Sequence, residues 1–417
     1  MTLLSVQAAQ DRLLSHIHPV ETETLPLDWC AGRVLASSVV ASDLPPFNNS
    51  SVDGFAVSAS DVKAATAERP RLLRVVADIP AGTYPTVRLK PDEAIRIMTG
   101  APMPEGADAV VMVEDTDLDR HGSGMLLPRQ VNVMRAVQAG ENVRVRGMDV
   151  RMGSKVLFSG QRLRPQDLGM LAMLGVAQVD VFRKPRAALL SSGDELRPVE
   201  GPLEPGKIRD TNTHTLGALM AEAGSEAIIL GVAADEMDAI KSLLDRAVEI
   251  GADIIVSSAG VSVGAFDYVR DVVESEGTLD FWRVNMRPGK PLAFGSYRGI
   301  PFVGLPGNPV SAFVGFEVFV RPALGRLGGL SELKGIDAMP AGRPKVPVEI
   351  AQAIESDGRE SYLRAIVEER DGKLVAKLTG HQGSGNLLSL VQANALLIIP
   401  AGVKSLAIGA RVDAWLI

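Results

Sequence analysis

The sequence predicts a multidomain α/β protein: a doubly wound α/β domain with an inserted β-rich module, a helical N-terminal region and a C-terminal β barrel. Three observations predict it. The 417 residues exceed what one hydrophobic core organises and, at about 150 residues per domain, imply several. Between residues 187 and 328, short apolar runs alternate with helical segments, the rhythm of βαβ units. On both sides of that region, β-rich runs are cut by turns, as the 41 glycines and 26 prolines require.

In chain order, Val6, Leu13, Leu14 and Ile17 share helical spacing. Asp11 and Arg12 precede any long apolar run, so this start reads as an amphipathic helix rather than a signal peptide. Pro26 and Gly32 then punctuate a shorter apolar segment ending at Val40. Strands are expected at 72–76, 94–98 and 109–113, and a helix at 166–174 closed by Gly175. That helix rejoins the opening ones, which makes the β module an insertion. In the α/β region, strands at 187–190, 227–232 and 253–256 alternate with helices at 213–223 and 236–250, with Gly224 and Gly251 as C-caps. Beyond Gly328, runs at 362–368 and 373–378 flank an Asp371-Gly372 turn, with further strands at 395–399 and 411–416. The expected domains are 1–43 with 141–181, then 44–140, 182–328 and 329–417.

Composition removes several functions. With 43 Lys+Arg against 50 Asp+Glu, the net charge of -7 argues against a general nucleic-acid-binding role, so an anionic partner needs a local basic cluster. Cys30 is the single cysteine, so no intramolecular disulfide can form, and with 5 histidines there is no Cys/His cage for zinc. A reducing, cytoplasmic location is expected. The uncharged stretch 299–316 is broken by Pro301, Pro306, Asn308 and Pro309, and a membrane span is not expected.

Candidate chemistry gathers where strands of the α/β sheet end, the edge at which such sheets bind ligands. Gly260-Val-Ser262-Val-Gly264 follows a buried strand, and its small residues leave backbone N–H groups open to an anion or serve as a tight turn. Asp194, Glu195, Asp210 and Asp267 stand at loop or helix-start positions of that edge. Hard oxygen donors there suit Mg²⁺ alongside substrate phosphate, although each acid could also be a helix cap. Arg283, Arg287 and Lys290 make 281–290 a +3 window, and the Arg287-Pro288-Gly289-Lys290 turn presents a forked and a point-charge donor to an oxyanion or to solvent. Gly304-Leu-Pro-Gly-Asn308-Pro309 can be a backbone-supplied binding turn or simple cap chemistry. Gly201-Pro-Leu-Glu-Pro-Gly206-Lys207 fits the letters of a phosphate loop, but Ile208 replaces the Ser/Thr and two prolines remove amide donors, so it reads as a connector.

The ordered segments resemble the molybdopterin molybdenumtransferases, bacterial counterparts of the gephyrin E domain. The resemblance rests on Asn49-Ser-Ser-Val-Asp-Gly-Phe-Ala-Val57, Met98-Thr-Gly-Ala-Pro102, Arg146-Gly-Met-Asp149, Ser192-Gly-Asp-Glu-Leu196, Asp210-Thr-Asn212, the Gly260–Gly264 loop with Asp267-Tyr268, Pro288-Gly-Lys-Pro291 and Leu305-Pro-Gly-Asn-Pro309. It implies an α/β molybdopterin-binding domain and a Mg²⁺-dependent enzyme that inserts molybdate into adenylyl-molybdopterin and releases AMP. It also implies a homodimer and contact with the preceding adenylyltransferase. By resemblance, Asp194, Glu195, Asp210, Asp267 and Lys290 match active-site positions of the α/β domain, and Asp53 and Thr99 match those of the inserted module. Asp149, Arg364 and Ser384 match further polar positions. An adenylyltransferase and a non-catalytic scaffold are the alternatives. Three residues depart from the family pattern: Arg287 stands for a common lysine, Arg209 for an aromatic residue, and Ala259 for a glycine, so Ala259 is expected to avoid positive φ.

Overall fold

The computed structural model describes residues 3–118, 126–259, 268–331 and 342–417. The chain forms two compact units, Ser38–Leu157 and, jointly, Met1–Ser37 with Phe158–Ile417.

The smaller unit is built on a five-stranded sheet in the order Ala109–Met112, Gly54–Val57, Glu93–Ile97, Arg71–Ile79, Gln130–Val133. Its alternating side chains feed one apolar cluster around Phe55, Leu73 and Val111 and another around Ile95, Ile97 and Val110. The three strands expected from sequence are present. Gly54–Val57 and Gln130–Val133 add to them.

The larger unit carries the doubly wound sheet. Its elements are β1 (Arg186–Ser192), α1 (Asn212–Glu222), β2 (Glu226–Ala233), α2 (Met237–Glu249), β3 (Ile254–Ser258), α3 (Tyr268–Glu276), β4 (Gly277–Arg283), β5 (Pro291–Tyr297) and β6 (Ile300–Leu305). The sheet order is β2-β1-β3-β6-β5-β4, parallel from β2 through β6 and antiparallel for β5 and β4. Central β3 is buried along its whole length, which is why its run lacks the polar alternation of a half-exposed strand. On one face α2 and α3 bury Leu244, Val269 and Val273. On the other, α1 and a long C-terminal helix pack with the N-terminal helix Val6–Ser15.

That long helix runs from Pro309–Gly315 through a π-helical turn, Phe316–Val320, into Arg321–Leu327. Pro322 lacks the N–H that would bond the Val318 carbonyl four residues earlier. The Gln10 side-chain amide donates to that carbonyl instead, at 2.7 Å. Inside the π turn, the fully buried Glu317 carboxylate accepts from Arg321 at 2.6 and 2.9 Å and from Arg343 at 3.0 and 3.1 Å.

The opening region contains more than helices. Thr22–Pro26 and Val34–Leu35 flank Gln178–Phe182 in a three-stranded antiparallel sheet, while the helix Pro165–Met173 matches the expected position, with Gly175 at φ +75°. At the other end, Glu360–Arg370, Lys373–Leu378, Lys345–Ile350, Arg411–Leu416 and Ala395–Ile399 pair in sequence, and the last returns to the first, closing a barrel. Asp371 and Gly372 both have positive φ, as a tight hairpin turn needs. Among the described residues, no helix is long and apolar enough to cross a membrane.

Candidate functional site

A cavity of about 980 Å³ opens where the strands of the α/β sheet end. Four pieces of chain converge on it: the starts of α1 and of the helix Pro309–Gly315, the Arg287-to-Lys290 turn, and the loop Gln382–Gly385 of the barrel domain. Glu195, Asp210, Arg287, Pro288, Gly289, Lys290, Asn308 and Ser384 all line it.

Asn212 holds these pieces together. Its side-chain amide donates to Ser258 Oγ and to the Gly307 carbonyl, each at 2.7 Å, joining α1 to the ends of β3 and β6. Asp210, nearly buried, accepts from the Thr213 N–H at 3.1 Å and so serves the start of α1. The Val310 N–H donates to the Ser384 carbonyl at 3.1 Å, fixing the barrel loop to the second helix start. Two helix N-termini thus face one cavity, and each brings partial positive charge.

Lys290 forms no ion pair among the described residues and is exposed. Arg287 lies 3.7 Å from Asp357, which is held mainly by Arg359, itself a cavity residue that sequence reasoning missed. Arg209 also lines the cavity, but its guanidinium donates to the carbonyls of Pro198, Glu200 and Gly201 and pins the proline-rich connector. The departure from an aromatic residue therefore serves loop anchoring here.

Arg364 does not line the cavity. It is completely buried, and its guanidinium donates to Ser389 Oγ at 3.1 Å, the Gly383 carbonyl at 2.9 Å and the His381 carbonyl at 3.4 Å. Burial, with the charge of Arg287 adding to it, pushes Arg364 down to about 10. Its geometry is that of a support for the 381–385 loop. Ala259 departs from expectation: its φ is +77°, the left-handed region. The β3-to-β6 edge thus holds a strained alanine, a cost of about 1–2 kcal/mol at such a residue.

Asp194 is set back from the cavity lining. It follows β1 as Asp235 follows β2, and the two exchange backbone bonds: the Asp194 N–H donates to Asp235 Oδ2 at 3.4 Å and the Asp235 N–H to Asp194 Oδ1 at 3.3 Å. Gly193, at φ +148°, a backbone conformation that residues with a Cβ rarely adopt, makes this bend possible. Sequence reasoning missed Asp235; its place immediately after a strand, mirroring Asp194, was the available signal. Burial raises Asp235 above the usual carboxylate range, and the charges of Asp194 and Glu195 raise it further, against a backbone bond that lowers it.

A carboxyl whose folded-state pKa lies above its unfolded value favours the fold at low pH and loses that contribution as pH rises through the raised value. At neutral pH Asp235 therefore opposes folding. Asp235→Asn is expected to raise the melting temperature at pH 7, with the gain shrinking as the pH falls through the raised value toward the ordinary carboxylate value and levelling off below it. Thermal denaturation across a pH series measures this; a gain independent of pH would contradict it.

The Ser262, Gly264 and Asp267 expectations lie outside the described residues. In the smaller unit, Asp53 Oδ1 accepts from both the N–H and the Oγ1 of Thr99, at 2.7 and 2.8 Å, and Asp149 pairs with Arg144 at 2.6 Å. No group of three or more His, Cys, Asp or Glu close enough to hold a metal occurs among the described residues.

Comparison with known proteins resolves the family. Residues 4–175 match the MoeA N-terminal region (domain I and II), 188–326 a probable molybdopterin binding domain, and 347–417 the MoeA C-terminal region (domain IV). A molybdopterin molybdenumtransferase of Nostoc sp. is 39% identical over 390 residues, 92% of this chain and 86% of the relative. The chain belongs to the molybdopterin molybdenumtransferase family. A second family member, molybdopterin molybdenumtransferase 2 of Mycobacterium tuberculosis, is 37% identical over 99% of both chains. The crystal structure of the molybdopterin biosynthesis moeA protein of Pyrococcus horikoshii superposes with a TM-score of 0.82 at 31% identity, covering 100% of each chain. The likeness to molybdenumtransferases thus extends through the regions flanking the α/β domain.

Proposed function

We propose that this protein inserts molybdate into the dithiolene of adenylyl-molybdopterin and releases AMP. The observation that carries the reading is the single cavity in which Glu195, Asp210, two helix N-termini, Arg287, Lys290 and the Ser384 loop meet. A substrate with a phosphoanhydride and a tetrahedral oxyanion asks for both of these surroundings. In the proposal, the helix starts and Asn308 receive phosphate oxygens, and Arg287, Lys290 and Ser384 face molybdate. Arg364 acts on the same loop from behind. The dithiolene supplies the soft sulfur ligands, so molybdenum is cargo and the protein needs no cysteine at the site.

One or two of Asp194, Glu195, Asp210 and Asp267, with Asp235 beside Asp194, are the carboxylates proposed to hold Mg²⁺. Burial, with the nearby charges of Asp194 and Glu195 adding to it, raises Asp235 in a way a bound cation would relieve, and Mg²⁺ is usually held by one or two carboxylates plus waters and substrate phosphates. When bound, Mg²⁺ would offset charge on the departing phosphate. Lys290, free of any described acid, stabilises the charge that grows as the P–O bond to AMP breaks.

The division into 1–43 with 141–181, 44–140, 182–328 and 329–417, a cytoplasmic location, and contact with the adenylyltransferase belong to the same proposal. So does a homodimer in which the inserted module of one copy, with Asp53, Thr99 and Asp149, completes the cavity of the other. Incubation with adenylyl-molybdopterin, Mg²⁺ and molybdate is expected to release AMP only when molybdate is present. Adenylylation of molybdopterin from ATP, or substrate binding without turnover, would instead support the adenylyltransferase or scaffold reading. Mixed dimers of Asp53→Ala with Lys290→Ala should recover close to half of one dimer's activity through one intact site; uniformly dead mixtures would exclude a site shared between copies.

A further inference from the structure

Helix α1 begins at the functional cavity and ends at a second one. Its 11 residues span about 16 Å at 1.5 Å each. The second cavity, about 210 Å³, lies at the opposite edge of the sheet, where the chain enters β1. Arg33, Arg162, Arg183 and Lys184 line it, against a single acid, Glu222.

Most of these charges are already balanced. Arg33 pairs with Glu23, Arg183 with Glu21 at 2.7 Å and Asp253 at 2.6 Å, and Glu222 with Arg343 at 2.7 Å and Arg321 at 3.3 Å. Arg162 and Lys184 pair with no acid among the described residues. The Arg162 guanidinium donates to the neutral carbonyls of Gly32 at 3.1 Å and Ala223 at 3.3 Å, which leaves further N–H donors unused. Gly224, at φ +93°, makes room for it, since a Cβ there would sit 2.9 Å from Arg162 Nη1. Burial and the nearby Arg321 hold Arg162 below its ordinary range, as expected of a cation without a counter-charge.

The C-termini of α1 and of the helix Arg321–Leu327 also border the cavity, and each contributes about half a negative charge. Set against two unpaired cations, that leaves a surplus of about one positive charge in a concave site.

We propose that this cavity binds a tetrahedral oxyanion of the phosphate class, gripped by Arg162 and Lys184. The bound anion would brace the Gly32–Arg33 turn against the end of α1. It is a site separate from the functional cavity and does not depend on the reaction proposed above.

The test uses the full chain carrying Arg287→Ala and Lys290→Ala, which weakens anion binding at the functional cavity, and it assigns to the second cavity only the phosphate binding that Arg162→Gln or Lys184→Gln lowers. Inorganic phosphate titrated by calorimetry at constant ionic strength is expected to saturate one site per chain and to raise the melting temperature. Adding Arg162→Gln should weaken that binding at least tenfold. Lys184→Gln, at an exposed position, should weaken it severalfold with an unchanged circular dichroism spectrum, and decides the matter if Arg162→Gln does not fold. AMP that competes with phosphate assigns the site to phosphate monoesters; AMP that does not compete assigns it to free oxyanions. Absence of saturable phosphate binding in this background, or binding that Lys184→Gln leaves unchanged, overturns the proposal.

Discussion

Lys290→Ala is expected to lower molybdate-dependent AMP release by about 10²–10³-fold, the loss typical of removing one preorganised group from a developing charge. Lys290 lines the cavity on a turn whose neighbours Pro288 and Gly289 are buried, so truncating it should leave the turn in place. Arg287 differs because Asp357, 3.7 Å away, already offsets part of its charge. Its loss should therefore cost less. The comparison is made on kcat and KM for adenylyl-molybdopterin and molybdate separately. A fall in kcat at unchanged KM places the lysine's effect in the transition state, whereas a change in the molybdate KM alone would make it a ground-state anchor. Lys290→Ala activity within a few-fold of the parent would remove the residue from the proposed chemistry.

The second large effect concerns stability. Glu317→Ala would strip the fully buried carboxylate from an ion cluster and leave Arg321 and Arg343 with only the half-exposed Glu222 to share. Breaking a buried pair by removing one partner costs about 3–5 kcal/mol, because the remaining charge stays desolvated. Chemical denaturation followed by far-UV circular dichroism should show a loss of that size. Glu317→Gln retains hydrogen-bonding capacity and should cost less. Equal losses for the two would mean that the negative charge, which both variants remove, and not packing volume or hydrogen bonding, holds the cluster.

Periodicity served best where burial is one-sided or complete over a long run. The strands 373–378, 395–399 and 411–416 were predicted to the residue, and the α/β elements to within a few positions. Gly54–Val57 escaped because four buried residues beginning with glycine carry no alternation. The sheet formed by Thr22–Pro26, Val34–Leu35 and Gln178–Phe182 escaped because its pairing joins segments some 150 residues apart, and a strand so exposed has little local signal of its own.

At the site, residue types at strand ends point to one edge of the sheet, and a cavity at that edge gathers Glu195, Asp210, Arg287, Lys290, Asn308 and Ser384. What sequence could not supply was side-chain direction. Arg364 looks like a ligand-facing cation in the chain, but the barrel closes around it and turns it toward backbone carbonyls. Asp235 sits in an alanine- and acid-rich stretch that reads as the start of α2, and only the return of β2 beside β1 brings it to Asp194. Ala259 shows the converse: a propensity rule that glycine would satisfy is overridden by the loop's path, at a strain the surrounding packing must absorb.

The π turn of the long helix has a consequence for the chain's two distant ends. Because Gln10 donates to the Val318 carbonyl, which Pro322 cannot serve, the first helix behaves as a splint for the helix whose opening residues line the cavity. Trimming a dozen amino-terminal residues would unseat that splint and should loosen Asn308 from behind, far from anything the substrate touches.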